Sequence, residues 1–528
     1  MSRRRDLFAK AALREIPKIL TLQDRNPHSP TYGCFDRNYW LYRIIDFPSG
    51  MAQEFCWPLA LAYDVELGDN PYYKQPEIRE WAIAGMRYAA KSAHPDGSCD
   101  DYFPFEKAGG AAAFSLLACV SACRLLDVDD ADIVGFLERR ADWLALHQES
   151  GRLTNHHALI LLGLQELGDW LKTDRWSEAI VYRLEQVLAW QHSEGWFQEY
   201  EGCDPGYQTL TIGCLASYHE KSPDERVEGA LRSAVDVAGL FVHPDGTFGG
   251  EYGSRNTLNF FPHGFELVGR WMPEALAIND RFLGGLHRGL QPCYSDDHIV
   301  GHHVWSYLLA WRHFAPDRGP AEAPIEGRRY LEGAGLVVDR RGDASLFVAL
   351  NKGGSFKLFR GTRLVASDTQ ISLQVGGRNA IGHLIDAYDG SVEDGRISVS
   401  GTLGWAKHKV MSPFTMVISR LVMLTLGRFF SNKVRWLLQR LLVTGKKDAP
   451  FRFFRALEWE GYRLVVTDRL EADSWDAVEA AGIGGHQTSI CVVMSRTFQP
   501  SQLQPWCDLT EDVRRLAPGE AFAMRREL

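Results

Sequence analysis

The sequence predicts an α+β protein of more than one domain: a ring of helical hairpins followed by antiparallel sheets. Three observations carry this. Residues from about 50 to 315 alternate long apolar-periodic segments with short Gly-containing ones. The turn glycines recur about every 50 residues, at Gly97, Gly151, Gly195 and Gly246, the length of two helices and two connections. After the Pro/Gly/Ala-rich stretch "APDRGPAEAPIEG" (315–327) the texture changes to short alternating runs broken by Gly and Asp.

In chain order, residues 1–45 read as a basic N-terminal helix and extension. Lys10, Arg14, Glu15 and Pro17 interrupt its apolar run, so it makes a poor secretory signal. Residues 46–315 form the helical ring, 316–328 the linker and 329–528 the antiparallel sheets. Segments such as "AGGAAAFSLLACVSACRLL" (108–126) and "HHALILLGLQELGDWL" (156–171) have the three-to-four spacing of packed helices. The competing architecture is an irregular helical domain with a coincidental period. Beyond the linker, "AGLVVDR", "ASLFVALN", "SFKLFRG", "TRLVASD", "ISLQVGG", "YRLVVTDRLEA" and "TSICVVMSRTF" read as strands. Residues 411–447 stand apart, with seven Lys/Arg and no acidic residue among apolar side chains. They suit either a helical hairpin packed on the protein or a segment lying on an anionic membrane.

Composition bounds the function. Of 528 residues, 45% are hydrophobic and 12% aromatic, which supplies a globular core and excludes disorder as the main state. A net charge of −9 gives no signal for nucleic acid, although a local cluster can still bind an anion. The ten Cys form no CxxC pair, so a zinc knuckle is not expected and a reducing compartment is. No uninterrupted apolar stretch reaches the length of a membrane span. The expected location is cytoplasmic, with peripheral contact at the inner membrane through 411–447.

The Gly turns bring polar residues to one end of the ring. In "GRLTNHHALILL" Asn155 stands at a helix start as a cap, followed by His156 and His157. The helix dipole biases imidazoles there towards the neutral form, able to accept a proton. Asp204 is the expected cap of the next such helix, with Pro205 in its first turn. Tyr207 then falls 51 residues after His156, at the neighbouring position of a 50-residue repeat, where a hydroxyl beside cations can transfer a proton. The third turn, "GGEYGSRNTLNFFPHGFE", carries Tyr252, Arg255, Asn256 and His263. Arg255 is suited to a bidentate grip on a carboxylate, or to an ion pair with Glu251. "SDDHIVGHHVW" adds His298, His302 and His303 near the domain boundary; their spacing matches no metal geometry, and neither metal nor cofactor is expected.

These residues resemble the heparinase II/III-like polysaccharide lyases, with the alginate lyases and dermatan-type uronyl epimerases that share their architecture. The resemblance implies an (α/α) toroid of helical hairpins before an antiparallel β-sandwich, and it extends over most of the chain. It implies that Asn155-His156 and Tyr207 are the paired site residues of the toroid. "FVALNKGGSFKLFRG" is similar to a His-bearing strand at the start of the family's sandwich, matching at Ser355-Phe356. Val348 and Leu350 stand where that strand carries His, and Lys352 stands at its acidic position. The implied site therefore takes His156, Tyr207 and His303 as proton-transfer groups. Asn155, Tyr252, Arg255, Asn256, His263, His302 and Lys352 contact an anionic polysaccharide. The implied reaction is C5 proton abstraction from a uronate and β-elimination. Uronyl C5-epimerisation, glycan binding on a degenerate site, and hydrolysis by carboxylates among Asp100, Asp101, Glu199 and Glu251 are the alternatives.

Overall fold

The computed structural model describes residues 2–149, 151–200, 202–294, 299–319, 325–407, 410–430, 433–434, 446–487, 495 and 497–528. The ring is made of helical hairpins, each with an inner and an outer helix. They are α4 (Cys56–Asp64) with α5 (Pro76–Ser92), α6 (Gly109–Leu126) with α7 (Ala131–Leu146) and α8 (Thr154–Leu171) with α9 (Ser177–Ala189). Then come α10 (Pro205–Lys221) with α11 (Glu225–Leu240), and α12 (His263–Val268) with α13 (Pro273–His287). The inner helix α14 (Ile299–Arg312) has as its outer partner α1 (Ser2–Leu13). Between α1 and α4 lie α2 (Ile16–Leu22) and α3 (Arg37–Trp40). The inner helices close on themselves, each touching the next and α14 touching α4.

The sequence explains which helices go inside. Helix α6 is apolar or small at nearly every position and buried on all sides, whereas α11 buries one stripe through Val227, Leu231, Ala234, Val235 and Ala238. A helix apolar all round needs neighbours all round; a striped one needs a single face covered. Helix α1, part of the 1–45 extension in the sequence reading, is built into the ring. Phe8 packs on Tyr307 with ring centroids 6.3 Å apart. Arg5 donates to the Trp311 carbonyl at 2.7 Å and lies over its indole.

The repeated glycines do one job. Gly97, Gly151, Gly195 and Gly246 have φ of 86°, 93°, 98° and 79°, which side-chain-bearing residues adopt at a cost. Gly246 also lies against α13, where a Cβ would come within 2.6 Å of the Arg281 carbonyl oxygen and the Gly285 nitrogen. Gly246→Ala combines a left-handed backbone with overpacking against main chain, so a loss of about 2–4 kcal/mol is expected. Urea unfolding measures it; an unchanged midpoint would show that the turn relaxes freely.

Short strands mark the same end: β1 (Gln198–Glu199) pairs with β2 (Gly202–Cys203), and β3 (Cys293–Tyr294) with Thr497–Phe498 from the far end of the chain. The sandwich begins with a five-stranded antiparallel sheet in chain order: β4 (Gly327–Leu331), β5 (Leu336–Arg341), β6 (Ala344–Ala349), β7 (Ser355–Arg360) and β8 (Arg363–Asp368). One face, with Leu336, Val338, Phe347 and Ala349, joins the core of the ring. The other, with Val337, Leu346, Val348 and Phe356, packs on the second sheet. That double burial is why "ASLFVA" reads as a continuous apolar run rather than an alternating one. The second, nine-stranded sheet is built around the long strands Arg396–Trp405, Asp448–Glu460 and Arg463–Glu471. Of the expected strand "TSICVVMSRTF" only its Thr497–Phe498 end is a described strand; residues 488–494 and 496 lie outside the described residues, as does His298.

Candidate active site

The loop carrying β1 and β2 slides Glu199 beneath the start of α8. The Asn155 backbone N–H donates to Glu199 Oε1 at 2.8 Å, and its Nδ2 donates to Oε2 at 2.8 Å. Asn155 is therefore not the helix cap expected from the sequence. Helix α8 begins at Thr154 with no side-chain cap of its own, and a carboxylate from the next turn takes a helix N–H left free.

Asp204 caps α10 as expected, with Oδ1 accepting from the N–H groups of Gly206 (3.1 Å) and Tyr207 (3.2 Å). Its Oδ2 accepts from the Arg255 N–H at 2.9 Å, and Oδ1 also from the Thr257 hydroxyl. One carboxylate thus ties the third turn to the helix that carries Tyr207. The Arg255 guanidinium lies between the rings of Tyr200 and Tyr207, 4.3 Å from each centroid. Its Nη1 is 3.7 Å from Glu199 Oε2. Arg255 therefore pairs with Glu199 rather than Glu251, which is paired with Lys357 at 2.7 Å. Nε and Nη1 of Arg255 are buried without a hydrogen-bond acceptor among the described residues.

Charge in this pocket is finely balanced. Burial raises the Glu199 carboxyl to about 7, with Arg255, Asn155 and His156 opposing the rise. Burial also raises the Tyr207 hydroxyl, against the pull of Arg255. His156 keeps 15% of its side-chain surface, and its Nδ1 is hydrogen-bonded to Glu149. Its ring lies over Gly110 of α6, where any Cβ would fall 2.5 Å from the imidazole. His157 turns inward to Arg183 (3.2 Å) and edge-on to Trp190. Burial, then Arg183, lowers its pKa to about 3.

The structure thus brings Asn155, His156, Tyr207 and Arg255 to one end of the ring, and places the other expected site residues inside packing. Tyr252 is stacked on Phe347 and hydrogen-bonded to His243 Nε2 at 2.9 Å, at the seam between ring and sandwich. His263 Nδ1 meets the Ser306 hydroxyl at 2.9 Å, and burial lowers its pKa to about 3. His302 pairs with Glu54 at 2.6 Å and stacks on Phe114. His303 is stacked between Tyr294 (3.9 Å) and Phe261 (4.7 Å), buried, with no hydrogen-bond partner for either ring nitrogen among the described residues. Its burial holds the imidazole neutral.

Lys352 and Asn256 also differ from direct substrate contacts. Lys352 is fully buried; its Nζ donates to the carbonyls of Glu251 (2.5 Å) and Gly253 (3.0 Å) and to Asn256 Oδ1. Burial lowers its pKa to about 8. A sandwich residue thereby fixes the loop that delivers Arg255. The sandwich also holds a His that its first strands do not announce. His383 is buried, with Nδ1 at 2.9 Å from the Thr369 carbonyl, and burial, then Lys352, lowers its pKa to about 3. Glu149 and Tyr200 are further members that sequence reasoning passed over. Tyr200 had a signal, since it sits one residue from Glu199 in a recognised turn.

Of the four carboxylates named for a hydrolytic pair, three lie in other contacts and Glu199 alone belongs to this site. Asp100 accepts from the backbone of Phe105 and Lys107, Asp101 from the Ser49 hydroxyl, and Glu251 holds Lys357. No group of three or more His, Cys, Asp or Glu that could hold a metal occurs among the described residues.

No protein-family model matches the chain, and no curated protein matches it. Solved structures do. A cellobiose 2-epimerase from Bacillus thermoamylovorans is similar at 11% identity over 59% of this chain and 100% of its own, with a TM-score of 0.46. A heparinase III is similar at 10% identity over 90% of this chain and 71% of its own, TM-score 0.44. A Paenibacillus xanthan lyase is similar at 9% identity over 99% of this chain, which spans 57% of that enzyme's chain, TM-score 0.47. At these identities the likeness is one of fold.

Proposed function

We propose that the chain is a polysaccharide lyase acting on a uronate-containing glycan. The observation that carries this is Arg255: a guanidinium clamped between two tyrosine rings, with buried N–H groups lacking acceptors among the described residues, beside a carboxyl whose pKa lies near neutrality. Such a group suits the planar carboxylate of a sugar acid. Neutralising that carboxylate makes the C5 proton removable and stabilises the enolate that follows. His156, with Nδ1 occupied by Glu149, takes the C5 proton as base. The C4–O4 bond then breaks, its electron pair leaves with O4, and Tyr207, kept protonated by burial, supplies the proton to O4. The products are a 4,5-unsaturated uronate and a new reducing end. Asn155 is a positioning residue in this scheme, holding Glu199 at the edge of the clamp.

Incubation with uronate polysaccharides in heavy water tests the reading. Unsaturated uronyl ends are the expected product. Deuterium at C5 without cleavage would replace elimination by epimerisation, and new reducing ends without unsaturation would replace it by hydrolysis. No change to a polymer that binds would leave only a binding module.

Glu199 gives the reading a pH signature. Below pH 7 the group is neutral and the Arg255 charge is free for substrate. Above it the ionised carboxylate competes, so KM rises about tenfold per pH unit. In Glu199→Gln that alkaline limb disappears. An identical KM profile in both proteins would remove Glu199 from the site. The same group acts on stability. Its folded pKa exceeds the usual 4.5, so its contribution is complete below pH 4.5 and is lost as pH rises through about 7, an effect of about 3 kcal/mol.

A further inference from the structure

The segment after the strand Arg396–Trp405 projects from the protein as a helix that covers itself poorly. It starts at Pro413, capped reciprocally by Ser412 and Thr415, and runs through a π-turn at Met423–Gly427 to Phe430. Its apolar side chains face outward: Phe414 is 73% exposed, Val417 66%, Leu421 62% and Phe429 75%. Only Met423 and Gly427 are buried, with Ser419, Arg420 and Val422 half-buried beside them. The protein therefore covers one narrow stripe of the helix.

That stripe rests on the rim of the ring. Arg420 pairs with Asp46 and lies over Phe47, and Arg428 lies over Phe105. The rim loops expose apolar side chains of their own, Leu41, Tyr42, Ile44 and Tyr102. Helix and loops make one apolar surface, and monomers rarely leave such a patch bare. The sequence of the projecting segment is one-sided in charge, with seven Lys/Arg and no Asp or Glu between 411 and 447 in a chain of net charge −9, and the rim adds Asp46, which Arg420 neutralises. Apolar side chains outward, with basic residues and no acid on the helix itself, match a bilayer with anionic headgroups. A charged protein partner would meet a face too apolar for it, and the helix is held along the rim by Arg420 and Arg428 rather than free to cross a membrane.

We propose that the helix 413–430, with the rim loops at 41–47 and 102, docks the protein on the surface of an anionic phospholipid bilayer. The rim loops precede α4 and α6, at the same end of the ring as Asn155 and Tyr207. Docking therefore turns the site towards the lipid surface and selects glycans held close to it. This last consequence rests on the glycan reading above; the docking itself does not.

Flotation of the full chain with phosphatidylcholine vesicles, with and without phosphatidylglycerol, tests the docking. The wild type floats with the anionic vesicles, and raised salt weakens the binding. The triple variant Phe414→Ser, Leu421→Ser, Phe429→Ser loses at least tenfold in binding. Arg428→Gln with Lys433→Gln loses about tenfold or more, on anionic vesicles only. Both variants keep the far-ultraviolet dichroism and the turnover of a soluble oligosaccharide. The proposal is overturned if the wild type stays off anionic vesicles or if the triple variant binds as well. It also falls if alkaline carbonate fails to release the bound protein, which would mean a span. A wild-type dimer that the triple variant abolishes, without vesicle binding, would assign the face to a second copy instead. Vesicle binding without any glycan turnover would sink the enzymatic reading and leave the docking intact.

Discussion

Arg255→Lys lowers kcat/KM on a uronate polymer by about 10²–10³-fold, the scale for losing one preorganised donor aimed at developing negative charge. Lysine keeps the charge but not the plane. An ammonium cannot fill the slot between the rings of Tyr200 and Tyr207, and it offers no paired N–H groups for a carboxylate. The conserved charge leaves Glu199 with a cationic neighbour, so the fold has no new unpaired buried carboxylate to accommodate. The loss should therefore appear in turnover, followed by the absorbance of the unsaturated product, with little change in the urea midpoint. Carboxyl-reduced polymer supplies the chemical control: without the carboxylate that acidifies C5, neither the wild type nor the variant releases unsaturated product. Full turnover of the uronate polymer by Arg255→Lys would sink the carboxylate clamp.

Arg455→Met should be the most destabilising single change, by about 3–5 kcal/mol, because it strips the partner from buried charge. Arg455 is wholly buried and holds Asp468 through Nε at 2.6 Å and Asp368 through Nη1 at 2.7 Å. Arg526 reaches both carboxylates from the last strand, Phe522–Glu527. Burial alone would raise Asp368; Arg455 and Arg526 outweigh it and hold its carboxyl at about 2. That pKa is depressed below the usual 3.8, so its stabilisation is present above about pH 4 and fades as pH falls towards 2. The wild type should lose stability on acidification through that window. The variant, in which burial of Asp368 is opposed by Arg526 without Arg455, should lose less. Equilibrium unfolding at pH 7, 4 and 2 makes the comparison, and parallel curves would remove the network from the stability of the sandwich. Activity should fall too. Arg455 Nη1 also donates to the Gly354 carbonyl at 3.1 Å, two residues from the Lys352 that fixes the Arg255 loop.

The ring was legible in the sequence because its signal is local and repeated. Gly97, Gly151, Gly195 and Gly246 each need a left-handed backbone, and the apolar segments between them have helical period. Asp204 and Tyr207 were legible for the same reason, since a cap and a first-turn residue are set by neighbours in sequence. The environment of Asn155 was not. Its partner Glu199 lies 44 residues away, and a cap residue and a second-position residue look alike in a string. Arg255 was identifiable as a cation but not in its pairing: Glu251 is nearer in sequence and Glu199 nearer in space. His302, His303 and Tyr252 have the types and positions of site residues, yet burial spends them on stacking. Nothing in "AIGHLID" marks His383, because burial beside Lys352 depends on the fold of two sheets.

The pairing of α1 with α14 has a consequence for how the chain is made. Arg5 finds its acceptor on Trp311, 306 residues later. At about 5–20 residues per second the first helix waits roughly 15–60 s before its partner leaves the ribosome. Throughout that interval the apolar face of Phe8, Ala9 and Ala12, fully covered in the finished protein, has no native surface to meet. Contacts this distant in sequence slow folding and favour misassembly. Helix α1, made long before its partner, is thus among the last elements to be secured, and a chaperone that shields it would act on the step that closes the circle.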